Sequence, residues 1–227
     1  MDRAAMALAK LKVKNIRFDT GLGCKPKFTA EDVAAALAGT ETGPYYLALA
    51  KYTGDLPARL ALETTVMCYL GDHIKNKKLL SDGEYAALHH YTHCLVRNVE
   101  PYRITDIDRQ KCKVWHQLVR LLVDHAVIDH RCPKCNGTGN GKRYPVGRDF
   151  AYKPCTRCGG STRVRPSNRS NARFLGVTHP TWAEKYEPVY RDLYPMLAIW
   201  EQHAFKHLSQ QLFSRIDHQI GEALRAC

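Results

Sequence analysis

DIDRQKCKVWHQLVRLLVDHAVIDHRCPKCNGTG, residues 106–139, joins two kinds of structure in one stretch. In its first part Trp115, Leu118, Val119, Leu122, Val123 and Ala126 recur at spacings of three and four. That pattern predicts a helix over 106–129 with one broad apolar face. In its last part Cys132 and Cys135 stand with two residues between them, followed by Gly137 and Gly139. The helix runs straight into this pair, so whatever the pair holds is anchored on a rigid element.

A second pair, Cys155 and Cys158 in CTRCGGST (155–162), completes the pattern C-x2-C-x19-C-x2-C. A two-residue gap lets both thiolates of a pair face one ion, and the 19-residue span folds back to close a tetrahedron. Glycines after a knuckle let backbone N–H groups turn toward the sulfurs, as Gly137 and Gly139 are placed to do. The expected cofactor is one structural Zn2+ on Cys132, Cys135, Cys155 and Cys158, with iron on the same thiolates as the minor alternative. The linker NGTGNGKRYPVGRDFAYKP (136–154) holds four Gly, two Pro and several β-formers, which predicts a short twisted hairpin.

The same region concentrates the charge. Between Arg131 and Arg173 eleven Lys and Arg face a single acid, Asp149, and the rest of a chain of net charge +12 is close to balanced. A solvated face usually mixes both signs, so one-signed density marks a polyanion-binding surface. The candidate nucleic-acid contacts are Arg131, Lys134, Lys142, Arg143, Arg148, Arg163, Arg165, Arg169 and Arg173. Arg169 and Arg173 fall on one helix face, and Arg163 and Arg165 on one side of a strand. Arginine at this density suits phosphate contacts and bidentate guanine readout.

Outward from this region the chain reads as helical. Residues 1–28 form a basic arm that lacks the continuous apolar centre of a signal peptide. Thr29 offers a cap for TAEDVAAALAG with Gly39 as its stop, Gly43-Pro44 opens a short run, and Pro57 sits at the start of PARLALETTVMCYLGDHI. GEYAALHHYTHCLVRNV adds a further helix before Pro101, making 29–105 a helical N-terminal region. A short basic helix is expected to end at Gly176. Thr181 and Glu184 then form a capping-box pattern, in a helix that Pro188 and Pro195 should break or kink. Residues 197–227 carry Phe205, Leu208, Leu212, Ile216, Ile220 and Leu224 as an amphipathic helix that covers a core or meets a partner.

Other chemistry is sparse. His89, His93 and Cys94 could suggest a second metal site, since i and i+4 share a helix face, but a fourth ligand or a base is lacking and the histidines read as partly exposed helix residues. Glu184 and Glu187 suit a solvated face. Nucleophile elbows, phosphate-binding loops and paired-histidine zinc motifs are missing from the sequence, so an enzyme is not expected. The scattered remaining cysteines fit a reducing cytoplasm, and no apolar run approaches membrane-spanning length.

A helix leading into CPKCNGTG, a basic hairpin, CTRCGG with an Arg-rich tail, and then THPTWAEKYEPVYRDLYPML resembles the lambdoid phage late-gene antitermination factors, the Q proteins of the lambda type. The resemblance covers roughly residues 109–203, with a weaker echo around FTAEDVAAALAG. The second knuckle reads CGGST where the family often has a further GxG, and the ligand cysteines are unaffected. The resemblance implies a mainly α fold, in which a helix-turn-helix-like region at 106–196 carries an inserted four-cysteine zinc hairpin at 131–163. It implies binding to double-stranded DNA within a late promoter, then loading onto paused bacterial RNA polymerase through the β flap and σ region 4, so that terminators are read through in the host cytoplasm. Self-association is left open.

Two rivals remain. One is a zinc-containing DNA-binding regulator without antitermination activity. The other is a zinc module of the DnaJ chaperone type that binds unfolded peptide, which leaves the charge asymmetry unexplained. A nuclease needs clustered carboxylates that the basic region lacks.

Overall fold

The computed structural model describes residues 30–128, 134–135, 140–146, 149–159 and 166–225, with side chains left undescribed at 30–33, 149 and 212–225. The fold is mainly helical, with one two-stranded antiparallel sheet. In order, α1 is Ala30–Leu37, α2 is Thr42–Ala48, α3 is Leu56–Lys77, α4 is Asp82–Val96 and α5 is Asp106–Val127. Strands β1 (Asn140–Val146) and β2 (Asp149–Pro154) follow, then α6 (Asn168–Phe174), a single turn α7 (His179–Thr181) and α8 (Glu187–Arg225). The expected cap Thr29 and the arm 1–28 lie outside the described residues.

Local chemistry explains where the helices begin. Asp55 caps α3 by accepting from the Ala58 N–H at 2.8 Å, and Pro57 sits second rather than first, where its missing N–H still costs nothing. Ser81 and Glu84 form a full capping box at α4. Thr105 caps α5 by accepting from Asp108 N–H at 3.1 Å. Between α2 and α3 the chain widens into a π-type turn, Leu49–Thr53, that Gly54 ends in the left-handed region at φ 72°.

Helix α5 is buried more completely than one apolar face requires. Val114, Leu121 and His125 are buried beside Trp115, Leu118, Val119, Leu122 and Val123, because α3, α4 and α8 pack around it. The main core joins these residues to Leu62, Val66, Leu70 and Ile74 of α3, Leu88 and Tyr91 of α4, and Trp182, Tyr186, Val189, Leu193 and Leu197. A second core joins Leu37, Ala48, Leu49 and Tyr52 to Ala204 and Leu208 of α8. Here the ammonium of Lys51, a residue 4 % exposed, meets the Glu201 carboxylate at 2.7 Å, and the Tyr52 hydroxyl donates to the same carboxylate. Leu208 and the half-buried Phe205 therefore cover core, while the side chains of Leu212, Ile216, Ile220 and Leu224 lie outside the described residues.

Two expectations after the second cysteine pair are corrected. The helix start is capped by Thr178, whose hydroxyl accepts from Thr181 N–H at 3.3 Å, and Thr181 is itself helical. Pro180 explains this: it belongs in a first turn, so the cap must precede it. Pro188 and Pro195 do not break the helix, and α8 runs without interruption across 196–197, where a boundary was expected. A π-type turn, Trp182–Tyr186, widens the backbone just before Pro188, which gives the ring room against the preceding carbonyl. Pro195 and Arg191 are both exposed, a setting in which water can satisfy the carbonyl left without an N–H partner.

Candidate metal centre and basic surface

The hairpin brings the second cysteine pair back to the first. β1 and β2 pair with Arg143 opposite Tyr152, Tyr144 opposite Ala151 and Pro145 opposite Phe150, with an irregularity between Asn140 and Arg143. That irregularity sits where the strand crosses the second knuckle. A Cβ on Gly141 would stand 2.9 Å from the Pro154 carbonyl oxygen and 3.3 Å from Cys155 Cα, so glycine is required there for close approach rather than for a turn. Beyond Cys155 the knuckle closes with Gly159 N–H donating to the Cys155 carbonyl at 2.7 Å, and Gly159 takes the left-handed φ of 59°.

The result is a cluster of sulfurs. The thiol sulfurs of Cys135, Cys155 and Cys158 all lie within 4.8 Å of one another, and Cys135 Sγ is 3.8 Å from Cys158 Sγ. Cys155 is fully buried and Cys135 nearly so, and the three form a small core of their own. These three can hold a metal ion. Cys132, expected as the fourth ligand, and Gly137 and Gly139 lie outside the described residues. Across the knuckles the Lys134 ammonium donates to the Thr156 hydroxyl, tying the first pair to the second.

The cysteines of the helical body are of another kind. Burial, with Asp108 second, pushes the Cys112 thiol up to about 11, so it stays protonated and is no ligand in waiting. His89 and His93 are exposed, as expected, while Cys94 is buried with its sulfur 3.6 Å from His90 Nε2.

Among the expected nucleic-acid contacts, Lys134, Lys142, Arg143, Arg169 and Arg173 are exposed. Arg169 and Arg173 lie one turn apart on α6, which Ser167 caps by accepting from Ser170 N–H at 3.2 Å. The Arg143 guanidinium lies over the Phe150 ring, 3.6 Å from its centroid. Arg131, Arg148, Arg163 and Arg165 lie outside the described residues. The hairpin rings Tyr144, Phe150 and Tyr152 are not among the expected contacts, although they alternate with cations in KRYPV and FAYK. Gly141 is not among the expected residues either, because its role depends on a strand crossing that no local pattern announces.

Among the described residues no helix is long and apolar enough to cross a membrane. The chain matches no known family model and no curated protein.

Proposed function

We propose that this chain is a phage late-gene antitermination factor of the lambda Q type, which binds a promoter DNA element and loads onto paused bacterial RNA polymerase. The observation that carries the reading is a three-cysteine cluster inside a segment whose charge is almost entirely positive. In this reading one Zn2+ sits on Cys135, Cys155 and Cys158, with Cys132 as the fourth ligand. With Zn–S bonds of about 2.3 Å, tetrahedral sulfurs stand about 3.8 Å apart, the separation seen between Cys135 and Cys158. Four thiolates leave no open position for catalysis, so the ion fixes the module rather than reacting. The helix-turn-helix-like region comprises α5 and the elements after Cys158, with Arg169 and Arg173 on phosphates or base edges.

The test is terminator read-through by purified bacterial RNA polymerase, on a template carrying the phage DNA downstream of this gene. The expected result is read-through that disappears with Cys155→Ser. Duplex binding that falls with salt at a log–log slope of about −4 to −5, for roughly five neutralised phosphates, but without read-through, leaves a zinc-containing DNA-binding regulator. The peptide-binding alternative draws on the exposed Phe150 and Tyr152, and suppression of aggregation of an unfolded client without DNA binding would favour it.

A further inference from the structure

Strand alternation places Arg143, Pro145, Phe150 and Tyr152 on one face of the hairpin, and Lys142, Tyr144, Val146, Ala151 and Lys153 on the other. A two-stranded sheet normally hides rings against a helix. Here Phe150 is 54 % exposed, Tyr152 51 % and Tyr144 39 %. Each face pairs ring with cation: the Arg143 guanidinium lies over Phe150, and the Lys153 ammonium stands 5.8 Å from the Tyr144 centroid. Asp149 is the only acid between Asn140 and Pro154.

This combination selects its ligand. Half-exposed rings offer a stacking surface to a flat heterocycle, and the cations beside them are placed to neutralise its phosphate. Duplex DNA cannot use the rings, because its bases already stack on one another and present only edges in the grooves. An apolar peptide could use the rings but gains nothing from Lys142, Arg143 and Lys153. Unpaired nucleotides use both.

We infer that the hairpin binds single-stranded DNA, with bases stacked on Phe150 and Tyr152 and the backbone held by Arg143 on the same face. The stacking chemistry stands on the hairpin alone, whereas the choice of DNA over RNA rests on the promoter-binding reading above. On this division of labour α6 meets the duplex and the hairpin meets a strand that has been separated from its complement.

The experiment is fluorescence anisotropy of the full chain, with its bound metal, against labelled oligothymidylate, oligouridylate of the same length and a duplex promoter fragment. Oligothymidylate is expected to bind in a salt-dependent way. Phe150→Ala and Tyr152→Ala should each weaken it about tenfold, the scale of one stacked base, while Phe150→Tyr and Tyr152→Phe retain it and duplex affinity stays unchanged. Phe150→Leu and Tyr152→Leu keep cross-strand apolar packing but lack the π face, so they should weaken binding with metal content intact. Absence of oligothymidylate binding, or binding indifferent to the leucine variants, would overturn the inference. Tighter binding of oligouridylate would overturn its assignment to DNA. If the duplex fails to bind while ring-dependent oligothymidylate binding persists, the promoter reading fails and the stacking surface stands.

Discussion

In the helical body the largest side chains vanish from solvent: Trp115 and Trp182 are no more than 1 % exposed, surrounded by leucines and valines of four helices. In the hairpin the largest side chains are half open, and burial among the described residues of this module falls on Cys135 and on Cys155, just after β2. The body is therefore specified by apolar area removed from water, a non-directional force that many side chains share. The hairpin has no such core, and a two-stranded sheet is marginal alone. With a metal on its cysteines, as proposed above, its geometry would be left to a few directional ligands, and its rings and cations would be free for a partner. On that reading the chain separates what must be stable from what must be available.

Metal removal should produce the largest effect and the sharpest separation. Structural zinc sites contribute on the order of 10 kcal/mol to the folding of small modules. A chelator, or Cys155→Ser, is expected to abolish hairpin order, read from amide dispersion of residues 140–154, while the body melts at its usual temperature. The three tryptophans, Trp115, Trp182 and Trp200, all lie in the body, so tryptophan fluorescence follows that region alone. A fluorescence transition that moves with chelation would join the two regions into one cooperative unit.

Trp182→Ala makes the opposite cut. The indole N–H has no hydrogen-bond partner, so truncation removes packing without stranding an acceptor. The expected cost is about 3–5 kcal/mol of body stability by urea unfolding, with metal content unchanged. Loss of the metal in this variant would show that the body, rather than the thiolates, organises the knuckles.

Much of this division was legible in the residues, and the exceptions have physical causes. The cysteine spacing announced the cluster because ligand geometry is local, and the Trp115-to-Ala126 pattern announced α5 because a core-facing helix must repeat its apolar positions. The second core was not legible: Leu37 and Leu208 meet across the length of the chain, and the buried Lys51–Glu201 pair joins a π-type turn to a distant helix. The cap was misread because Thr178 and Thr181 both precede helical sequence, and Glu184 made the later one attractive. The first-turn preference of Pro180 carried the decisive information. For the DNA contacts, exposure of Arg169 and Arg173 follows from charge whether or not a phosphate is nearby, so the one-signed run of charge, rather than exposure, is what marks them.

Acid should weaken the body through His116. Burial holds His116 neutral and pulls its value from 6.5 down to about 4, with its Nε2 3.2 Å from the Thr92 hydroxyl and its ring against Tyr91. The folded value lies below the unfolded one, so this contribution is complete above about pH 6.5 and is lost as pH falls toward 4. Integrated, it amounts to about 3 kcal/mol. His116→Leu should flatten the stability–pH profile over that interval, measured by urea unfolding at each pH. Glu84, drawn down to about 2 mainly by its hydrogen bond to Lys111, loses its contribution at lower pH, between 4.5 and 2. An unchanged slope in His116→Leu would assign the acid sensitivity elsewhere.

The same substitution placed in each region gives the finest test. An alanine Cβ at Gly43 would meet the Trp200 ring at 2.6 Å, and that ring is itself held edge-on against Tyr69, with centroids 5.2 Å apart. It cannot withdraw easily, so Gly43→Ala should cost about 1–3 kcal/mol from overpacking, partly offset by about 1 kcal/mol of helix propensity. At Gly141 the added carbon meets backbone, the Pro154 oxygen and Cys155 Cα, and pushes the strand off a ligand-bearing knuckle. Gly141→Ala should leave the tryptophan-reported transition in place and instead speed metal release to a competing chelator. Two variants identical in chemistry would then fail by different routes, one through packing and the other through ligand geometry. If Gly141→Ala lowered the tryptophan transition as much as Gly43→Ala, the hairpin would be supporting the body, and the separation between a stable region and an available one would collapse.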